Sequence, residues 1–171
     1  MAHIGLPVLT GLCTLTAITL VLASLIEDKL VECSGGEWFG YLRMEGGNVS
    51  SSELYTYLKK NDLTTDKINI VAAYAWPALA LAISGLLFSG LMLFFLYWRS
   101  ESWRFTLLMS LLAIVFYIIA AVFATVLVNR ANNYIDSSTC MVGRDTYLLW
   151  TGSIVMIVGA RMHGKSLQWS V

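Results

Sequence analysis

This 171-residue chain is short of charge. Asp, Glu, Lys and Arg make up 13% of it, against about 25% in an ordinary soluble domain. The deficit is local. The 11 basic and 11 acidic residues all fall in four stretches, and the apolar runs between them contain none. A greasy soluble protein scatters its charge, whereas segregation of this kind marks membrane-spanning segments. Ionisable groups inside a membrane mark proton relays, ion pathways and buried acid–base pairs. These runs contain no Asp, Glu, Lys, Arg or His, so neither a pump nor an intramembrane enzyme is expected. The two histidines, His3 and His163, flank the apolar runs, which argues against an intramembrane metal or haem site. There is no Cys-x-x-Cys, no Gly-rich phosphate loop, and no Ser-His-Asp set with a meeting point. A formal net charge of +0 leaves no electrostatic footprint for nucleic acid. The expectation is a chain with no catalytic residues, no cofactor, no metal and no nucleic-acid partner.

What is present is 57% hydrophobic residues, arranged in four segments. The first, Pro7 to Ile26, ends on Glu27 and Asp28. It has no Lys or Arg before it and no clean small-x-small cleavage site after it, so it reads as a retained helix and not a signal peptide. The second, Ile70 to Trp98, exceeds the roughly 20 residues needed to span and should tilt or protrude. Pro77 is placed in its first two turns, where a missing N–H costs least. The third runs from Phe105 to Val128, with Trp103 as an interfacial anchor. The fourth, Tyr147 to Ala160, is the weakest. It spans if Arg144 and Arg161 snorkel to opposite interfaces; the alternative is a re-entrant or interfacial helix. The fold class expected is therefore an all-α membrane protein, one four-helix domain over residues 1–171 in contact with the lipid bilayer.

The link Arg99-Ser100-Glu101-Ser102 is so short that segments two and three must be antiparallel neighbours. Four spans put the two longer loops, 27–69 and 129–146, on one side and both termini on the other. Basic residues are denser near the short link and the C-terminus, which favours cytoplasmic termini by the positive-inside rule. Asn48-Val49-Ser50 is a glycosylation sequon in the first long loop, with Asn48 the acceptor. Of three cysteines, Cys13 lies in the first segment as a small packer, while Cys33 and Cys140 lie one in each long loop. In an oxidising compartment those two can pair; the alternatives are two thiols or a bond to another chain.

The first long loop carries structure signals of its own. Lys29 to Cys33 reads as a strand, Ser34-Gly35-Gly36 as a turn, and Glu37 to Met44 as a second strand with Trp38, Phe39 and Tyr41 along it. A strand near Thr139 to Val142 is positioned to extend the edge. Ser50-x-x-Glu53 fits a capping box, and Leu54, Tyr57 and Leu58 make one apolar face of a short helix over Glu53 to Lys60. Thr65 or Asp66 caps the next helix. An ordered loop of this size usually binds something, and Trp38, Phe39, Tyr41, Leu54 and Tyr57 are the interaction candidates; the plainer reading is a cover for the bundle. Small residues at Ala80, Ser84, Gly85, Ser89, Ala120, Ala124, Gly152 and Gly159 allow close helix approach, either inside the bundle or between copies. The C-terminal Trp169-Ser170-Val171, with Trp169 and Val171 two apart, suits a PDZ-type groove that captures a terminal carboxylate; an interfacial tryptophan tail is the simpler reading.

Several of these residues resemble the claudin superfamily of four-span proteins, which includes peripheral myelin protein, lens intrinsic membrane protein and calcium-channel gamma subunits. Gly36-Glu37-Trp38 stands where that family has Gly-Leu-Trp. Ala72-Ala73-Tyr74-Ala75 and Ile83-Ser84-Gly85 are similar to the opening of its second helix, and Tyr147-Leu148-Leu149-Trp150 followed by Gly159 to its fourth. The chain departs from the family in lacking two cysteines after Trp38 and a tryptophan late in the first segment. The resemblance implies a β-sheet in the first outer loop, cytoplasmic termini and a plasma-membrane location. It also implies a role in adhesion or barrier formation, or as accessory subunit of a channel or receptor, through self-association or a membrane-protein partner. A small structural subunit of an organellar respiratory or photosynthetic complex is the alternative.

Overall fold

The computed structural model describes residues 5–34, 38–41, 44–45, 65–98, 103–134 and 139–168. Four helices dominate: α1 (Gly5–Glu27), α2 (Thr65–Trp98), α3 (Trp103–Tyr134) and α4 (Arg144–Gln168). Four short strands, β1 (Val31–Cys33), β2 (Trp38–Phe39), β3 (Met44–Glu45) and β4 (Cys140–Val142), form one antiparallel sheet in the order β3-β2-β1-β4. The strand expected near Thr139 to Val142 is present as β4, so the expected hairpin extends into a wider sheet. Its fourth strand comes from the second long loop, and Glu37 to Met44 is not one strand, since β2 and β3 fold back on each other.

Three stretches are long and apolar enough to cross a membrane: Leu6–Glu27, Ala73–Trp98 and Arg104–Asn133. Their outward sides remain apolar, with Leu12, Leu87, Leu111 and Val122 exposed, as helices facing lipid require. α4 runs well beyond Tyr147–Ala160 at both ends, and Arg161, His163 and Lys165 lie within it. α2 and α3 also outrun their apolar segments. A helix stops where its backbone bonds stop, not where hydrophobicity does. Two expectations are corrected as a result. Pro77 lies in the interior of α2, far past its first two turns, and the helix is unbroken across it. His163 does not flank the bundle but is buried in it.

The helices pack as two close pairs, α2 along α3 and α1 along α4, joined by contact between α3 and α4. The first pair meets at Tyr117, fully enclosed, whose ring lies against Gly85 and whose hydroxyl shares a 2.9 Å hydrogen bond with Ser89. A Cβ at Gly85 would run into that ring. Ala78, Ala82, Ala113, Ala120 and Ala124 are fully buried, and Phe88 stacks on Phe116 at 5.3 Å. In the second pair, a Cβ at Gly152 would lie 3.1 Å from Val21 Cγ2, and one at Gly159 3.0 Å from Cys13 Cβ. The Thr10 hydroxyl reaches the Gly159 carbonyl at 3.5 Å. Trp150 Nε1 donates to Thr125 Oγ1 at 3.1 Å between α4 and α3. Gly85, Ser89, Ala120, Ala124, Gly152 and Gly159 are thus spent inside this chain and are not available to a second copy. Ala80 and Ser84 differ: Ala80 is exposed, and the Ser84 hydroxyl turns back to its carbonyl at 2.8 Å.

Candidate functional site

The sheet and its attachment to the helix ends form the candidate site. It begins where α1 stops. Asp28, just past the last helical residue, takes a left-handed backbone at φ 57, and its N–H still donates to Ser24 O at 3.4 Å. Glycine or asparagine usually fills such a helix-ending position; aspartate tolerates it because its short side chain bonds locally. Here the Asp28 carboxylate accepts the N–H of Tyr41, across the turn that follows β2. The Tyr41 hydroxyl shares a 2.8 Å hydrogen bond with Ser24 Oγ of α1. Burial pushes the Tyr41 phenol far above its ordinary value, so it is neutral at any physiological pH.

β1 alternates as a half-buried strand should, with Val31 and Cys33 inward and Glu32 outward. Its register sets Cys33 opposite Cys140 of β4, and the two are joined in a disulfide across 107 residues of chain. That settles the open alternatives for these two thiols and ties the two long loops together; Cys13 is the free cysteine. Ser34 N–H donates to Thr139 O at 3.0 Å, and Thr139 N–H to Ser34 Oγ at 3.2 Å, continuing the pairing past the disulfide.

An edge strand leaves backbone groups open to another chain unless something covers them. At β4 the cover is Asn132 of α3. Its Nδ2 donates to the Cys140 carbonyl at 2.9 Å, and its Oδ1 accepts the Cys140 N–H at 2.5 Å. The turn of α3 beyond Val128 brings Asn132 to this edge, with Ala131 beside it buried.

The outward face of the sheet carries Trp38, partly exposed, opposite Glu32, with Met141 on the other side of Glu32 and 69% exposed. Lys29 Nζ lies 5.6 Å from the Trp38 ring centroid, a cation–π distance. Phe39 and Tyr41 do not join this face. They are 5% and 1% exposed, so the expectation that they meet a partner is corrected. Both are core residues of the attachment. Leu54, Tyr57, the short helix at Glu53 to Lys60, Asn48, Trp169 and Val171 lie outside the described residues.

The last part of the attachment is the start of α4. Gly143 N–H and Thr146 Oγ1 both donate to Leu30 O, at 2.8 and 2.9 Å. Lys29 is held from both sides by Asp145: its N–H donates to Asp145 Oδ2, and its carbonyl accepts Asp145 N–H at 3.3 Å. Asp145 is fully enclosed. Burial raises its carboxyl to about 7, helped by Glu27 and Asp28 and opposed by the Lys29 N–H and Arg144. Arg144 itself reaches Glu27 at 3.4 Å in a largely exposed pair. Sequence reasoning missed Asp28, Asn132 and Asp145 as attachment residues. The signal available was position: one aspartate directly after an apolar helix, one in the first turn of another. Comparison with models of known protein families and with functionally characterised proteins gives no match.

Proposed function

We propose that this is a non-enzymatic four-span membrane protein that acts through its outer sheet, on a claudin-like plan. The observation that carries the reading is the division of labour between the two halves. The apolar runs hold no Asp, Glu, Lys, Arg or His, while the two long loops combine into one disulfide-tied sheet bearing Trp38, Glu32 and Met141 on its outward face. A fourth span is supported by the pairing of α4 with α1. Contacts run from Lys29 and Asp145 at one end, through Gly152 with Val21, to Gly159 with Thr10 at the other. Contact over that length supports a crossing alongside α1. On this reading the sheet faces the outside of the plasma membrane and both termini are cytoplasmic.

Two roles fit such a surface: adhesion to the same protein, or docking as an accessory subunit beside a channel or receptor. Expression in cells without endogenous junctions, followed by mild-detergent purification, distinguishes them. Adhesion predicts clustering at cell–cell contacts that Trp38→Ala and Met141→Glu abolish. An accessory role predicts one stoichiometric membrane partner and no clustering. Recovery from an organellar complex, with Asn48 unmodified, overturns the cell-surface reading.

A further inference from the structure

Asp145 sits where the end of α1, the start of β1 and the start of α4 meet, with no solvent exposure. Oδ2 accepts the Lys29 N–H, but Oδ1 has no hydrogen-bond partner among the described residues. A carboxylate oxygen out of water and without a donor is a costly arrangement. It can be relieved by a metal ion, a counter-charge or a proton. Among the described residues no three His, Cys, Asp or Glu side chains are grouped to hold a metal. Among the described residues the nearby cations are engaged elsewhere: Arg144 pairs with Glu27 and acts on Asp145 only through space, and Lys29 Nζ lies over Trp38. The positive end of α4 favours an anion in its first turn, yet it brings no donor to Oδ1. The remaining titratable neighbours among the described residues are the carboxylates of Glu27 and Asp28, which repel a further negative charge, and the neutral phenol of Tyr41.

The geometry points to a proton-operated latch at Asp145: protonated in an acidic compartment it holds the start of β1 against α4, and on losing that proton to bulk water near neutral pH it loosens the sheet from the helix ends. The titration fits, since the carboxyl is raised from 3.8 to about 7, chiefly by burial. The sign follows from proton linkage. Between these two values the folded junction holds a proton that the opened one releases, so its stability falls as pH rises through this window and is constant above it. Below the window both states are protonated and the stabilisation is fully present. The latch lies under the disulfide-tied sheet, so the tightness of the whole outer face follows the pH of the compartment it faces.

The test is hydrogen exchange of the full chain in lipid nanodiscs, read at the amides of Lys29, Leu30, Tyr41 and Gly143 and corrected for intrinsic rate. Wild-type protection should fall about tenfold per pH unit between pH 5 and pH 7 and level off above. Asp145→Asn, which cannot ionise, should abolish that slope. A purely structural role predicts a uniform loss of protection with the slope unchanged, and that result, or a flat wild-type profile, overturns the proposal. Should the Asn variant not fold, infrared titration of wild-type carboxyls decides: a protonated carboxyl band lost near pH 7, and lost at lower pH in Glu27→Gln, is expected. Its loss only in the ordinary carboxylate range overturns the latch.

Discussion

Tyr117 and Tyr41 make the same hydrogen bond in two different places. Each is almost wholly enclosed, and each shares its hydroxyl with a serine, at 2.9 Å to Ser89 and 2.8 Å to Ser24. Tyr117 stands between two apolar helices, on a glycine, with alanines around it. Tyr41 stands at the helix ends, beside two aspartates, with the sheet above it. Around Tyr117, close packing does the holding and any helix of suitable shape would serve. Around Tyr41, the hold comes from directional bonds to backbone, a disulfide and buried carboxyls. The bundle is therefore held by shape, with Gly85 fitted to the Tyr117 ring, whereas the attachment is held by directional bonds, a disulfide and buried carboxyls.

The comparison can be broken at several points. The largest effect is expected outside the bundle. Replacing Cys33 and Cys140 by Ser, or reducing them, should cost about 2–5 kcal/mol. Wild type and variant thermal unfolding in detergent would show it, with a lower melting temperature and earlier loss of sheet amide protection than of helix protection. Inside the bundle, Gly85→Leu should cost about 1–3 kcal/mol by forcing Tyr117 out of its place. The same melts measure it, and Tyr117→Ala in that background should recover part of the loss. The two tyrosines then compare directly. Tyr41→Phe removes a bond beside buried polar groups and should cost about 1 kcal/mol. Tyr117→Phe should cost about 0.6 kcal/mol, because hydroxyls within membrane bundles find other partners when unfolded there. Equal losses in double-mutant cycles with Ser24→Ala and Ser89→Ala would remove the distinction drawn between the two regions. Smallest is Arg144→Ala, about 0.2 kcal/mol or nothing measurable, since its pair with Glu27 is exposed.

Much of the bundle was legible from residue pattern alone. Charge segregation marked the apolar runs, and a four-residue link forced α2 and α3 together. β4 was legible as an added edge because Thr139 to Val142 follows a polar stretch with strand-forming residues. The ends of the helices were not. Composition marks the membrane's edge, while α3 continues to Tyr134 because Asn132 and Ala131 have the sheet to lean on. Phe39 and Tyr41 were misplaced for the same reason: an aromatic in a polar loop looks exposed until the helix ends that bury it are known. Asp145 looked like the last charge of a loop. Its burial arises only when α4 is set against Lys29, 116 residues away in sequence.

The central claim is that α4 crosses with α1, so that both long loops share one side. Its most direct test uses full-length protein in sealed, oriented vesicles, with a protease-cleavable tag at each terminus and an epitope in the first long loop. The account predicts that protease on the side where the loop epitope is accessible spares both tags, while protease on the other side removes both. Removal of the C-terminal tag from the loop's side would mean three crossings and would contradict it.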